Sequence, residues 1–264
     1  MSGEGPWAMR PEHFLPALVA SASNRAAAVE AAAGKWWPAA RSAPPPRRFA
    51  AALRGGAPLA IIAECKAQSP SQGRLVDDYD PAARAAVYEH AGARAVSVLT
   101  EPYFFDGDLQ HLRQVAEAVS VPVLRKDFLL EPAQVAEARC HGADAVLAIV
   151  RILSDAQLRA LLAAAATLGM DVLVEVHTPE ELDRAAAVGA KLIGVNSRDL
   201  DTFETRLERA LAMAPALPRD ALAVAESGIR THADLERLGQ AGYRAALVGQ
   251  TLMQQGTGLL DAAP

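Results

Sequence analysis

Residues 144–176 read "DAVLAIVRILSDAQLRALLAAAATLGMDVLVEV". The stretch DAVLAIV (144–150), apolar throughout after Asp144, suits a strand covered on both faces, as in a parallel sheet. SDAQLRALLAAAATLG (154–169) has the alanine and leucine content of a helix and stops at a glycine. DVLVEV (171–176) is a second strand candidate. Strand, helix and strand in that order predict one crossover unit of a parallel sheet.

The same rhythm extends in both directions. Strand candidates stand at LAIIAEC (59–65), RAVSVLT (94–100), PVLRK (122–126), DAVLAIV (144–150), DVLVEV (171–176), KLIGV (191–195), ALAVAE (221–226) and YRAALVG (243–249). Amphipathic segments such as DPAARAAVYEHAG and THADLERLGQAG lie between them. Four related hexamers introduce every second strand: AGARAV (91–96), HGADAV (141–146), VGAKLI (188–193) and AGYRAA (241–246). Each puts a glycine where a helix ends and a strand restarts, a position that wants a left-handed backbone. A two-unit motif used four times predicts a closed sheet, a single (β/α)8 TIM barrel, rather than an open one. Residues 1–57 are different. Pro11 to Lys35 is alanine-rich and helical in composition, and SAPPPRRF then breaks the helix, so an N-terminal helical extension is expected.

Composition narrows the function. The chain has 264 residues, a formal charge of −5 and no long basic or acidic run, so nucleic acid is not an expected partner. No segment reaches the roughly 18 uninterrupted apolar residues of a membrane span. The N-terminus lacks a basic patch followed by an apolar block, so no secretory signal is expected and a cytoplasmic location is. Cys65 and Cys140 form no metal or redox spacing and the histidines are scattered, so neither a metal nor another cofactor is expected. A monomer is the expected state.

The first strand candidate ends in Glu64, Cys65 and Lys66. Catalytic groups in this fold stand at the C-terminal ends of the strands. Glu64 and Lys66 are two residues apart and share one side of the strand, whereas Cys65 faces the helix layer as a packing residue. Charged and amide groups recur at equivalent places: Arg125-Lys126-Asp127 after the third strand, Glu175 in the fifth, Asn196-Ser197-Arg198 after the sixth and Glu226-Ser227-Gly228 at the seventh. Lysines and glutamates gathered at one mouth shift each other's pKa values, as acid–base catalysis requires. Any one of them alone reads equally well as a structural ion pair. The loops ESGIRT and VGQTLM each carry a glycine and a hydroxyl residue ahead of a helix, which predicts a phosphate cradle after strands seven and eight. Ser69 is within reach of it. The two phenylalanines of TEPYFFDGD line an aromatic pocket or cover the mouth. His177 has no adjacent nucleophile and reads as a rim residue.

The motifs IIAECKAQSPSQG, SVLTEPYFFDGDLQHL, PVLRKDFLL, GADAVLAIV, VLVEVHTPEEL, IGVNSRDL, AESGI and LVGQTLM resemble those of the indole-3-glycerol phosphate synthase family, in order, over about residues 59–255. The resemblance implies a phosphorylated small-molecule substrate, an anthranilate ring joined through nitrogen to deoxyribulose 5-phosphate. It implies closure of a pyrrole ring with loss of carbon dioxide and water, as a step of tryptophan biosynthesis, without metal or organic cofactor. Lys126 matches the family's general acid and Glu175 its base. Glu64 assists, Lys66 holds the anthranilate carboxylate and shares proton transfers, and Asn196 orients the substrate hydroxyls. Arg198 supports the mouth, while Ser69, Ser227, Gly228, Gly249 and Gln250 hold the phosphate. The extension 1–57 matches one that covers the barrel mouth. Phosphoribosylanthranilate isomerase, a neighbouring barrel with a cysteine at its first strand end, is the rival enzyme reading. A barrel that binds without turnover is the rival from another class.

Overall fold

The computed structural model describes residues 11–55, 59–70, 73–75 and 78–260. The first ten residues of the expected extension, and the middle of the loop after the first strand, lie outside them. Eight parallel strands close into a barrel in chain order: Ala60–Cys65, Ala95–Leu99, Val123–Lys126, Ala145–Ile149, Asp171–Val176, Leu192–Asn196, Leu222–Glu226 and Ala245–Val248. The first pairs with the eighth, Ala60 opposite Ala245, so no edge is left open among them. A short antiparallel hairpin, Gln68–Ser69 against Gly73–Arg74, rises from the end of the first strand.

Among the described residues three helices precede the barrel: α1 (Pro11–Ala31), α2 (Ala33–Ser42) and α3 (Phe49–Ala52). The others flank it: α4 (Pro81–His90), α5 (Pro102–Phe105), α6 (Leu109–Ala118), α7 (Pro132–Cys140), α8 (Asp155–Thr167), α9 (Pro179–Ala187), α10 (Leu207–Met213), α11 (His232–Gln240) and α12 (Gln250–Gln255). Local chemistry fixes their ends. Asp80 accepts from Ala83 N ahead of Pro81, and Thr178 accepts from Glu181 N ahead of Pro179, so each helix starts on a capped turn with proline in its first position. The four repeat glycines, Gly92, Gly142, Gly189 and Gly242, all have positive φ, between 80° and 105°, and so end a helix before the next strand, as the hexamers predict.

The N-terminal segment meets the barrel mouth at its beginning and the opposite end at its finish. Phe14 packs edge-on to Phe104 and Phe203, with ring centroids 5.0 and 4.9 Å apart. Arg25 forks onto Asp127, just past the third strand, at 3.0 and 2.9 Å. α2 then runs along α7. Arg47 binds Asp144 through Nε at 2.7 Å, and Ala50 N donates to Asp171 at 2.8 Å. Those two aspartates stand where strands four and five begin, at the end of the barrel away from the mouth. The extension is therefore a strap down the side of the barrel, and its first turns cover the mouth.

Candidate active site

Alternation along each strand sends every second side chain into the barrel. Glu64, Glu175, Asn196 and Glu226 all lie within the last two residues of their strands, so their side chains meet in one layer at the C-terminal mouth. Asn196 pairs with Glu226 in register. Lys126 ends the third strand and crosses the mouth: its Nζ lies 2.6 Å from Glu226 Oε2 and 3.3 Å from Glu175 Oε2. Asn196 Nδ2 donates to Glu175 Oε1 at 3.1 Å, while its own Oδ1 accepts from Arg198 N at 3.0 Å, which fixes the amide. Lys66 Nζ donates to Glu64 Oε1 at 2.5 Å.

The three glutamates are buried, with 5, 2 and 1% of Glu64, Glu175 and Glu226 exposed, so their charges act through little water. Burial opposes the ammonium of Lys126, but Glu226, Glu175 and Glu64 outweigh it, and the pKa is raised. Burial likewise works against the carboxylate of Glu175, yet Lys126, His177 and Asn196 hold it well below the usual carboxylate range. Glu64 is also lowered: burial is overcome by Lys66 and Lys126. Glu226 goes the other way. Burial and its neighbour Glu175 exceed the pull of Lys126 and push it up to about 7. The resting mouth thus holds a protonated lysine against two ionised glutamates, with a third carboxyl, Glu226, that holds its proton more readily.

Two glycines make room for these carboxylates. A Cβ on Gly194 would fall inside van der Waals contact of Glu226 Oε1, and one on Gly249 would do the same to Glu64 Oε1. Neither position takes a larger residue without moving a carboxylate at the mouth.

A cavity of about 600 Å3 opens above this layer. All eleven residues singled out from the sequence line it: Glu64, Lys66, Ser69, Lys126, Glu175, Asn196, Arg198, Ser227, Gly228, Gly249 and Gln250. Its lining includes the rings of Phe14, Phe105, Phe128 and Phe203. The phenylalanine pair of the second loop divides its work: Phe105 lines the cavity, and Phe104 is buried against Phe14. The loops after strands seven and eight also line it. Ser227 and Gly228 have successive positive φ values of 65° and 78°, and Gly249 precedes α12. Turns of this kind present successive backbone N–H groups, which suit an anion.

The structure departs from the sequence reading at two residues. Glu226, read from the sequence as a charged strand end but given no role, is the nearest carboxylate to Lys126. His177 is not a rim residue: its side chain is 2% exposed and sits between Glu175 and Glu181, because Glu181 at the start of α9 holds both its backbone N and its ring as the chain leaves the strand. Cys65 faces outward as parity requires, with Sγ 3.9 Å from Pro81 O of α4, and burial pushes its thiol up to about 12. Among the described residues no group of three or more His, Cys, Asp or Glu side chains is arranged to hold a metal ion, and no helix is long and apolar enough to cross a membrane.

The closed barrel and its enclosed, charged mouth define an enzyme of the (β/α)8 class. The model of the indole-3-glycerol phosphate synthase family matches residues 18–258. The chain belongs to that family. It is 48% identical over 209 residues to indole-3-glycerol phosphate synthase of Desulfotalea psychrophila, covering 79% of this chain and 80% of that protein. It is 51% identical over 206 residues to the enzyme of that name from Mycolicibacterium vanbaalenii, covering 78 and 75%. Among solved structures, an N-acetylmannosamine-6-phosphate 2-epimerase from Clostridium perfringens superposes with a TM-score of 0.58 over 78% of this chain and 90% of that one. At 14% identity that likeness speaks for the fold alone.

Proposed function

We propose that the chain converts 1-(2-carboxyphenylamino)-1-deoxyribulose 5-phosphate to indole-3-glycerol phosphate, with release of carbon dioxide and water, in tryptophan biosynthesis. Lys126 is the general acid and Glu175 the general base. The observation that carries this reading is the contact of one buried lysine with two buried carboxylates, Glu226 at 2.6 Å and Glu175 at 3.3 Å, beneath a cavity lined by four phenylalanines and by the loops after strands seven and eight.

The substrate fits that division. Its ring lies among Phe14, Phe105, Phe128 and Phe203, and its phosphate lies against Ser227, Gly228, Gly249 and Gln250, with Ser69 closing over it. Lys66 meets the anthranilate carboxylate, leaving Glu64 as its counter-ion. The ring carbon bearing that carboxylate attacks the ketone carbon, and the ketone oxygen gains a proton from Lys126. Loss of carbon dioxide restores the aromatic ring. Lys66, freed of the carboxylate, protonates the new hydroxyl, which leaves as water while Glu175 takes the proton released as the double bond forms. Asn196 holds the substrate hydroxyls and the Glu175 carboxylate together, and Arg198 supports the mouth. Two protons are given and one is taken, so each turnover draws one net proton from solvent, through which Lys126, Lys66 and Glu175 are reset. No step needs a metal or organic cofactor, and one chain supplies the whole constellation, so the working unit is the monomer.

The test is turnover of that substrate by the purified chain, followed by indole fluorescence, beside Lys126→Ala and Glu175→Gln. Formation of the indole by the parent chain, with both variants slowed, supports the reading. Failure of the parent chain to turn it over, or near-native turnover by both variants, overturns it.

A further inference from the structure

His177 stands behind Glu175, away from Lys126. Its Nε2 lies 3.3 Å from Glu175 Oε1, and its Nδ1 lies 3.3 Å from Glu181 Oε2. Glu181 also accepts from the backbone N of His177 at 2.7 Å, so the imidazole is gripped from the start of α9. Nε2 is buried and has no aligned hydrogen-bond partner, although it points towards the carboxylate read here as the base. A buried polar atom left in that state calls for an explanation.

We propose that His177 is a positioning residue for Glu175: carried as an imidazolium anchored by Glu181, it steadies Oε1 and keeps the base ionised between turnovers. The proposal rests on the reading of Glu175 as the base. Three observations converge on it. The imidazole lies between two carboxylates in a nearly dry pocket, an arrangement that favours the charged ring. Although burial works against that charge, the two glutamates push His177 up to about 9. Glu175 already gives Oε2 to Lys126, so when Lys126 surrenders its proton Glu175 loses its principal counter-charge; a second cation on the Oε1 side keeps it from taking a proton prematurely.

The charges around the pair are few. Lys126 and Glu226, from strands three and seven, act on Glu175 from the cavity side, with the neutral Asn196 beside them. Glu181 of α9 faces the imidazole. Among neighbouring cations, Arg151, on the turn after strand four, is paired with Asp201, and Arg184 of α9 with Asp155. Glu180, next on α9, is exposed.

The test has two arms. In the first, kcat and KM are followed from pH 5 to 9 for the parent chain, His177→Asn and Glu181→Gln. His177→Asn should lower kcat about tenfold with KM within about twofold across that range, because Glu175 loses its second counter-charge while the binding contacts stay in place. Glu181→Gln should lower kcat the same way by less. If His177→Asn does not fold, Glu181→Gln carries this arm. Folded variants that keep parent kcat, or that lose it only in step with a raised KM, overturn the proposal, however far their melting temperatures fall. The second arm needs no substrate. In 15N-histidine NMR of the free chain at pH 7.5, His177 should report an imidazolium, and Glu175→Gln should turn it neutral. A neutral His177 in the parent chain overturns the proposal. A parent chain that holds the imidazolium but turns over no substrate overturns the base reading instead.

Discussion

Lys126 and Glu226 meet across 2.6 Å at the centre of the mouth, the lysine being the proposed acid and the carboxyl the one that burial and Glu175 push up to about 7. The contact stores the proton on the lysine, because Glu226 stabilises the ammonium more than any other neighbour. Lys126→Ala should therefore lower kcat by about 10²–10⁴, as expected for a positioned general acid, with little change in phosphate affinity. Near-native turnover in that variant would move the acid role to Lys66.

Glu226→Gln tests the same contact from the other side. Removing the carboxylate lowers the pKa of Lys126, so the acid loses its proton at lower pH. The basic limb of the kcat profile should shift downward, while KM changes little. An unmoved basic limb would separate Glu226 from the acid.

Gly194 and Gly249 are each occupied, in effect, by a neighbour's carboxylate. Gly194→Ala should drive Glu226 off Lys126, and Gly249→Ala should drive Glu64 off Lys66. Misplacement by about an ångström costs on the order of 10²-fold in rate. Each variant should therefore lose far more kcat than its modest drop in melting temperature suggests. If Gly194→Ala kept parent activity, the mouth would be more pliant than its packing implies.

Much of this was legible in the chain itself. Strand candidates and hexamer glycines marked all eight barrel units, since a glycine that must take positive φ leaves a periodic trace. Strand parity sent Cys65 outward and Glu64 inward. Spacing could not reveal which carboxylate reaches Lys126, because Glu226 lies 100 residues away and meets it only when the barrel closes. His177 escaped for a related reason. It sits one residue beyond the strand, where alternation no longer has to hold. The path of the extension was hidden too, since composition marks a helix but not the side chain, Asp127 or Asp144, that catches it.

Cys65 separates this barrel from the cysteine-dependent rival. Its thiol is buried, faces α4 and is pushed up to about 12, so it carries almost no thiolate at neutral pH. Iodoacetamide should leave it unmodified in the native chain and modify it after denaturation. Cys65→Ala should cost about 1 kcal/mol of stability and keep most of the turnover. A folded Cys65→Ala chain without activity would revive the isomerase reading.

The strap and the acid are joined through Arg25 and Asp127. Asp127 follows Lys126 directly and accepts from Arg25, Arg125 and Thr100, all within 3.1 Å. Burial works against its charge, but Arg125 and Arg25 outweigh it and hold the pKa down at about 2. The sign of the linkage follows. A carboxyl lowered on folding from its usual value near 4 adds stability above that value, and the gain is lost as pH falls through about 2. The whole gain is on the order of 2 kcal/mol, shared between the two arginines. Arg25→Met should cost part of it in urea unfolding at pH 7, and the gap between variant and parent should narrow as pH is lowered from 4 towards 2. Thr100 and Arg125 remain to hold Asp127, so Lys126 should stay near its place and kcat should fall less than about tenfold, whereas proteolysis within α1 should quicken as its tie to the barrel is cut. A gap that stays constant across that range would mean that the strap is held by packing of Phe14 and its neighbours rather than by the ion pair.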